Sequence, residues 1–219
     1  RLPDVARDVR DKFGRSLSTA PPAPNLPKAP TATGSSTRRL PMPGRSQVEI
    51  RIGTRSVARS DPQYAAAFLA NEVLGGRGLL SRLFQNVRER EGLAYHASSS
   101  LESMRWGGFF VAQVGTNPKQ AKRALRLLRH EVERLSTELV PSGELHRIRE
   151  SAIGALPLSV ETTAGAHELA LDVAYHDLAP DHYRRWPAEL RRLSRRELRD
   201  ASAQAFDISR AITVLAGPL

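Results

Sequence analysis

Leu93–Ser103 (LAYHASSSLES) and Trp106–Gly115 (WGGFFVAQVG) are two β-rich runs separated only by Met104 and Arg105, and Pro118–Leu139 (PKQAKRALRLLRHEVERLSTEL) follows directly. A connection that short predicts a β-hairpin. In the third run Ala121, Leu125, Leu128, Val132, Leu135 and Leu139 share one helical face, with Lys, Arg and Glu on the other. A helix of this kind lies along a sheet, so this unit sets the fold class.

Working outward, Val48–Ile52 alternates apolar and charged residues and reads as a half-buried strand. Asp61 and Pro62 suit the N-cap and first position of a helix whose apolar side carries Tyr64, Phe68 and Leu69 and which Gly75 and Gly76 close. A short helical stretch over 79–91 leads into the hairpin. Beyond the long helix, a second runs from Ser142 until Pro157 interrupts or ends it, and a third covers 163–175. Ser194 and Glu197 form a capping box, with Leu193 and Leu198 placed to staple the helix entry. Ala211–Ala216 reads as a buried strand ended by Gly217 and Pro218. The order predicts an α+β domain: a two-layer sandwich of a mainly antiparallel sheet with helices on one face.

The first residues differ in kind. Val5, Val9 and Phe13 recur every four residues ahead of Gly14, the pattern of a helix end. Residues 16–46, with TAPPAP at 19–24 and LPKAP at 26–30, have the composition of a Pro-rich linker. A lone helix before a long tether suggests the last element of an upstream domain.

At 219 residues with 40% hydrophobic and 26% charged residues, the chain is long enough for one substantial core, and no apolar run reaches membrane-spanning length. A soluble protein is expected, of bacterial-type cytoplasm or periplasm. Cysteine is absent, which removes disulfides, thiolate metal sites and a cysteine nucleophile. The net charge of +10 raises the question of an acidic or nucleic-acid partner. Residues 1–47 carry a surplus of +6 and residues 48–219 only +4. The basic run 184–199 has interleaved acids and an inward Leu face, so a solvated helix face is favoured and no nucleic-acid partner is expected.

The chemistry-bearing candidates narrow quickly. His96, His130, His146, His167, His176 and His182 show neither H-E-x-x-H nor H-x-x-E-H spacing, and Asp172 with His176 reads as a surface pair. No metal ligand and no cofactor is therefore assigned to this segment. Ser98–Ser100 sits in a strand without a nucleophile elbow, and Gly75–Gly78 follows a helix and lacks the Gly-Lys-Ser/Thr of a phosphate loop.

One run remains, Ser81–Tyr95 (SRLFQNVREREGLAY). It resembles the signature of the C-terminal homologous domain in the pitrilysin/insulinase (M16) family of zinc metallopeptidases, where a helix bearing S-R-L-F-x-x-[LV]-R-E leads into G-L-A-Y at a strand. The resemblance implies the LuxS/MPP-like metallohydrolase fold, with 1–15 as the closing helix of an upstream domain, 16–46 as the inter-domain linker and 47–219 as the C-terminal domain. It implies that Arg88 and Tyr95 match the Arg and Tyr that reach a peptide substrate across the cavity. Zinc is then expected in the other half or in a partner chain, and this segment alone should be inactive. The partners implied are a homologous zinc-bearing M16 half or subunit, in a homo- or heterodimer, and a peptide. On the residues alone, Arg88 reads rather as a surface ion pair with Glu89 or Glu91, and Tyr95 as an ordinary strand aromatic; the family pattern turns the balance towards function. A non-catalytic assembly subunit of the same fold is the competing expectation.

Overall fold

Five strands form one mixed sheet in a computed structural model that describes residues 34–219 together with Arg7, Asp11 and Lys12. The helix expected over 4–15 and the linker up to residue 33 lie, but for those three residues, outside what is described. The chain divides into units Arg1–Thr31 and Ala32–Leu219, and the second carries the sheet. Its strands are β1 (Ser36–Pro41), β2 (Val48–Ser56), β3 (Ala94–Met104), β4 (Gly107–Thr116) and β5 (Ile212–Gly217), in the order β1-β5-β2-β4-β3. β1 runs parallel to β5, while β5 with β2, β2 with β4 and β4 with β3 are antiparallel.

Strand β1 corrects the linker expectation for 16–46. Residues 36–41 form an edge strand whose six side chains are all exposed, so no apolar alternation marks it in the sequence. Its pairing with β5, some 175 residues later, supplies what local composition does not.

Alternation places Val48, Ile50, Ile52, Phe110, Ala112, Val114 and Leu215 on one face, all buried. Helices α1 (Tyr64–Asn71), α2 (Ala121–Thr137) and α6 (Arg195–Ala205) cover that face, and Phe110 stacks on Phe206 at 4.2 Å between ring centres. Burying such side chains stabilises by roughly 1.5–3 kcal/mol each before entropy is charged. Among the described residues no helix covers the opposite face, and β5 is half-buried and not the fully buried strand expected: Thr213 and Leu215 point in, whereas Ile212 is 53% exposed.

The capping box is formed, with Ser194 N–H donating to Glu197 Oε2 at 2.7 Å and Glu197 N–H donating to Ser194 Oγ at 3.2 Å. Leu193 and Leu198 are buried beside it. This cap also divides the Arg-rich run into α5 (His182–Arg192) and α6. Its cations meet neighbouring acids: Arg184 and Arg185 meet Asp181, Arg191 meets Glu150, and Arg199 meets Asp200. α3 (Ser142–Ser159) runs two residues past Pro157, which gives up one i to i−4 bond there. α4 (Thr163–Tyr175) forms as expected but buries none of its residues.

Two departures from regular helix frame the functional segment. α1 starts two residues after Pro62, since Asp61 and Pro62 form the preceding turn: Gln63 N–H donates to Asp61 Oδ1 at 2.8 Å. It then widens into a π-turn over Glu72–Gly76. The stretch 79–91 is no single α-helix either, but a 3₁₀ turn at Gly78–Leu80 followed by a π-helix over Leu83–Arg90. Gly75 explains the first. A Cβ there would lie 2.7 Å from Ser98 C and from Ser99 Oγ, so only glycine lets this turn nest against β3.

Candidate functional site

The run Ser81–Tyr95 is anchored at nearly every turn. Ser81 Oγ donates to Gly78 O at 2.6 Å, and the buried Arg82 grips Glu144 on α3 through Nε and Nη2 at 2.7 and 2.9 Å. Two parallel N–H bonds to one carboxylate fix direction as well as distance. Leu83 and Val87 are fully buried, and Asn86 Nδ2 donates to Glu131 Oε1 on α2 at 2.9 Å. The π-helix ends where Leu93 N–H donates to Val87 O at 3.0 Å, after Gly92 turns the chain at φ +58°. Thr116 Oγ1 then donates to Leu93 O, tying the entry of β3 to the end of β4.

Tyr95 sits at an irregularity in that strand. Ala94 pairs with Thr116 and His96 with Gly115, so Tyr95 is the extra residue of a β-bulge. Strict alternation from Ala97, Ser99 and Leu101 would aim position 95 at the helix layer. The bulge releases it, and Tyr95 stands 58% exposed. Gly92, Leu93, Ala94, Tyr95, Asn117, Lys119 and Gln120 line a pocket of about 340 Å³ there. Asn117 shapes its far wall by accepting Lys119 N–H at 3.0 Å. Asn117, Lys119 and Gln120 were not singled out in the sequence; Asn117-Pro118, a helix-entry signal directly after β4, is the trace that could have found them.

Arg88 stands apart from this pocket. Its guanidinium lies 4.7 Å from the centre of the Phe84 ring, and its Nε is 4.0 Å from Glu89 Oε1. Glu91, its other expected partner, pairs with Arg123 instead.

Next to Tyr95 on the open face, His96 Nε2 lies 3.2 Å from Glu49 Oε2. Gly115 lies between them in register, and a Cβ there would come within 2.7 Å of His96 Nδ1 and 2.8 Å of Glu49 Oε1. The absence of a side chain makes room for the pair.

A second cluster joins α4 and α5 to the core. Asp172 is 3.2 Å from Arg59 Nη2, accepts Tyr183 O–H at 2.6 Å and lies 3.5 Å from His176 Nε2. Because His176 has only 8% of its side chain exposed, the expected surface pair is an internal junction. Arg59 Nη2 also lies 3.0 Å from His182 Nε2. Arg can only donate, so Nε2 accepts and the ring is neutral. Burial, and then the Arg59 charge, hold His182 below its ordinary pKa of 6.5. Burial and the bond to Asp172 push Tyr183 up to about 12. Burial likewise raises Glu72, which Arg77 meets at 2.8 Å.

Among the described residues no three His, Asp or Glu side chains come together as a metal site. Ser99 is equally unsuited to nucleophilic work, since its buried hydroxyl donates to Asn71 Oδ1 at 2.8 Å.

An uncharacterised zinc protease of Streptomyces coelicolor is 32% identical over 163 residues, covering 73% of this chain and 35% of that protein. A probable inactive metalloprotease of Bacillus subtilis is 33% identical over 88 residues, 40% of this chain and 20% of its own. A crystal structure of a peptidase M16 inactive domain from Pseudomonas fluorescens superposes with a TM-score of 0.84 at 23% identity, covering 97% of this chain and 52% of that one. The chain thus spans about a quarter to a half of the longer proteins it matches over most of its length. The family model described as the peptidase M16 inactive domain matches residues 3–152, and the chain belongs to that family as an M16 C-terminal domain.

Proposed function

We propose that this chain is the C-terminal, non-zinc half of an M16-like metallopeptidase, closing one side of a proteolytic chamber and presenting Tyr95 and Arg88 to a peptide. The observation that carries this is the bulge that turns Tyr95 out of the sheet beside a pocket. A phenol held there can donate to a peptide carbonyl oxygen as it gains negative charge. Arg88, on the neighbouring π-helix, offers several donors for peptide carbonyls once it leaves the Phe84 ring. Among the described residues no cluster of donor groups fits zinc, so zinc chemistry is assigned to an upstream half or a partner subunit, and this segment by itself is inactive.

The test is made on the complete zinc-bearing protein or complex. Tyr95→Phe removes only the hydroxyl and is expected to lower kcat/KM about a hundredfold, the scale of one lost oxyanion donor. Unchanged cleavage by both Tyr95→Phe and Arg88→Ala sinks the assignment. The separation of Arg88 from the Tyr95 pocket favours one second reading, a non-catalytic assembly subunit. Zinc content and peptidase activity of the full-length protein, set against this segment, separate the two.

A further inference from the structure

The far wall of the Tyr95 pocket is the entry to α2, where the backbone donors of residues 119–121 are already used. Lys119 N–H is taken by Asn117 Oδ1 at 3.0 Å, Gln120 N–H by Asn117 O at 2.9 Å and Ala121 N–H by Pro118 O. Because that first bond takes the Asn117 side-chain oxygen, its Nδ2 keeps both hydrogens for another group. Among the described residues the lining holds one cation, Lys119, and no carboxylate. Asn117, Lys119 and Gln120 can therefore all donate to one acceptor-only group beside Tyr95, in a space of about 340 Å³.

The surroundings carry the same sign. The Asn86–Glu131 bond and the Glu91–Arg123 pair join the π-helix to α2, so residues 88–91 and 117–126 lie on neighbouring elements at the two sides of the pocket. Together they hold six cations and two acids. Both acids have cations beside them, Glu91 with Arg123 and Glu89 with Arg88, whereas the Lys119 ammonium has no ion-pair partner among the described residues. A carboxylate that reaches Lys119 thus breaks no existing ion pair, and the basic surroundings draw it in.

We propose that this pocket is an acidic-residue subsite: it takes the Asp or Glu side chain of an extended peptide, with Lys119 as the specificity-determining residue and Asn117 as a second donor, and so selects which peptides lie across Tyr95. The inference rests on the peptidase reading for its purpose, but the carboxylate is bound without any bond being cleaved. An ammonium-to-carboxylate bond is charge-assisted and stronger than a neutral one. A lysine side chain in the same position meets like charge and loses binding. Nucleic acid is disfavoured because Tyr95 alone in the lining offers a ring for stacking.

The full 219-residue chain is titrated with short fluorescein-labelled peptides identical but for one central residue, Glu, Gln or Lys. The Glu peptide is expected to bind about fivefold more tightly than the Gln peptide, the scale of one solvent-facing ion pair, and the Lys peptide most weakly, with the differences shrinking in high salt. Lys119→Glu reverses the order. Lys122→Glu makes the same change of charge outside the lining and keeps the order. Equal affinity for the three peptides overturns the proposal, as does no measurable binding of the Glu peptide or a Lys119→Glu chain that still prefers it. Reversal by Lys122→Glu as complete as by Lys119→Glu overturns it too, since a diffuse field and no pocket would then select, and so does displacement of the Glu peptide by a single-stranded oligonucleotide. Binding here is read without turnover, so its failure leaves the Arg88 and Tyr95 assignment standing, and failure of that assignment leaves the subsite.

Discussion

The segment Glu72–Val87 and helix α4 are held by opposite means. In the first, Val73, Leu74, Leu83 and Val87 are fully buried, Gly75 presses its backbone onto β3, and the Arg82–Glu144 fork pairs a buried guanidinium. In α4 nothing is buried, and Leu171 and Tyr175 are each 50% exposed. Its anchor is polar, with Asp172 shared among Arg59, Tyr183 and His176. Packing therefore governs one region and charge the other. Steric changes should disturb the Tyr95 side of the molecule, while pH should disturb α4 first.

The largest expected effect is steric. Gly75→Ala puts a methyl group against the backbone of Ser98 and Ser99 and should destabilise the domain by about 3 kcal/mol, read as a lower urea midpoint. A change below about 0.5 kcal/mol breaks the contrast on its packed side. Arg82→Met comes next. It strands the Glu144 carboxylate, whose side chain is only 18% exposed, at an expected cost of about 2 kcal/mol in the same measurement.

Asp172→Asn should be milder and local, about 1–2 kcal/mol. Amide exchange is expected to quicken across 163–176 while β2 and β4 keep their protection. Equal loss of protection in the sheet would show that α4 is part of the core after all.

The smallest effect is the pH response of the same junction. His182 has a folded pKa below its unfolded one, so its contribution is present above pH 6.5 and is lost as pH falls through the lowered value. Tyr183 has a raised one, so its contribution is complete below pH 10 and is lost as pH rises towards 12. Exchange in α4 should therefore quicken at both extremes, and His182→Gln should remove the acid arm alone.

Much of the architecture was legible because it is periodic. The hairpin, the face of α2 from Ala121 to Leu135 and the Ser194–Glu197 cap each depend on residues a few positions apart and stand where the pattern places them, whereas Leu139, beyond the helix end at Thr137, is exposed. β1 was not, because an edge strand covered on neither face needs no apolar alternation. The π-segments were missed for a related reason. Their i to i+5 bonding, as in Glu91 N–H to Asn86 O at 3.2 Å, answers to the packing of Gly75 and Leu83 against β3 and not to helix propensity. Asp172 and His176 showed helical spacing, yet the junction they make includes Arg59, which is more than a hundred residues away.

By itself, the sequence determined the α+β layering and the run Ser81–Tyr95 that carries the family signature, since local spacing and side-chain type suffice for both. Tertiary structure alone decided which way those side chains face. Tyr95 leaves the sheet because β3 carries one residue more than β4 opposite Gly115, and Arg88 rests on Phe84 because a π-helix sets the angle between them. The row Arg38, Val214, Arg51 and Gln113 exists only once β1, β5, β2 and β4 lie side by side, because register is a property of paired strands and not of any one of them.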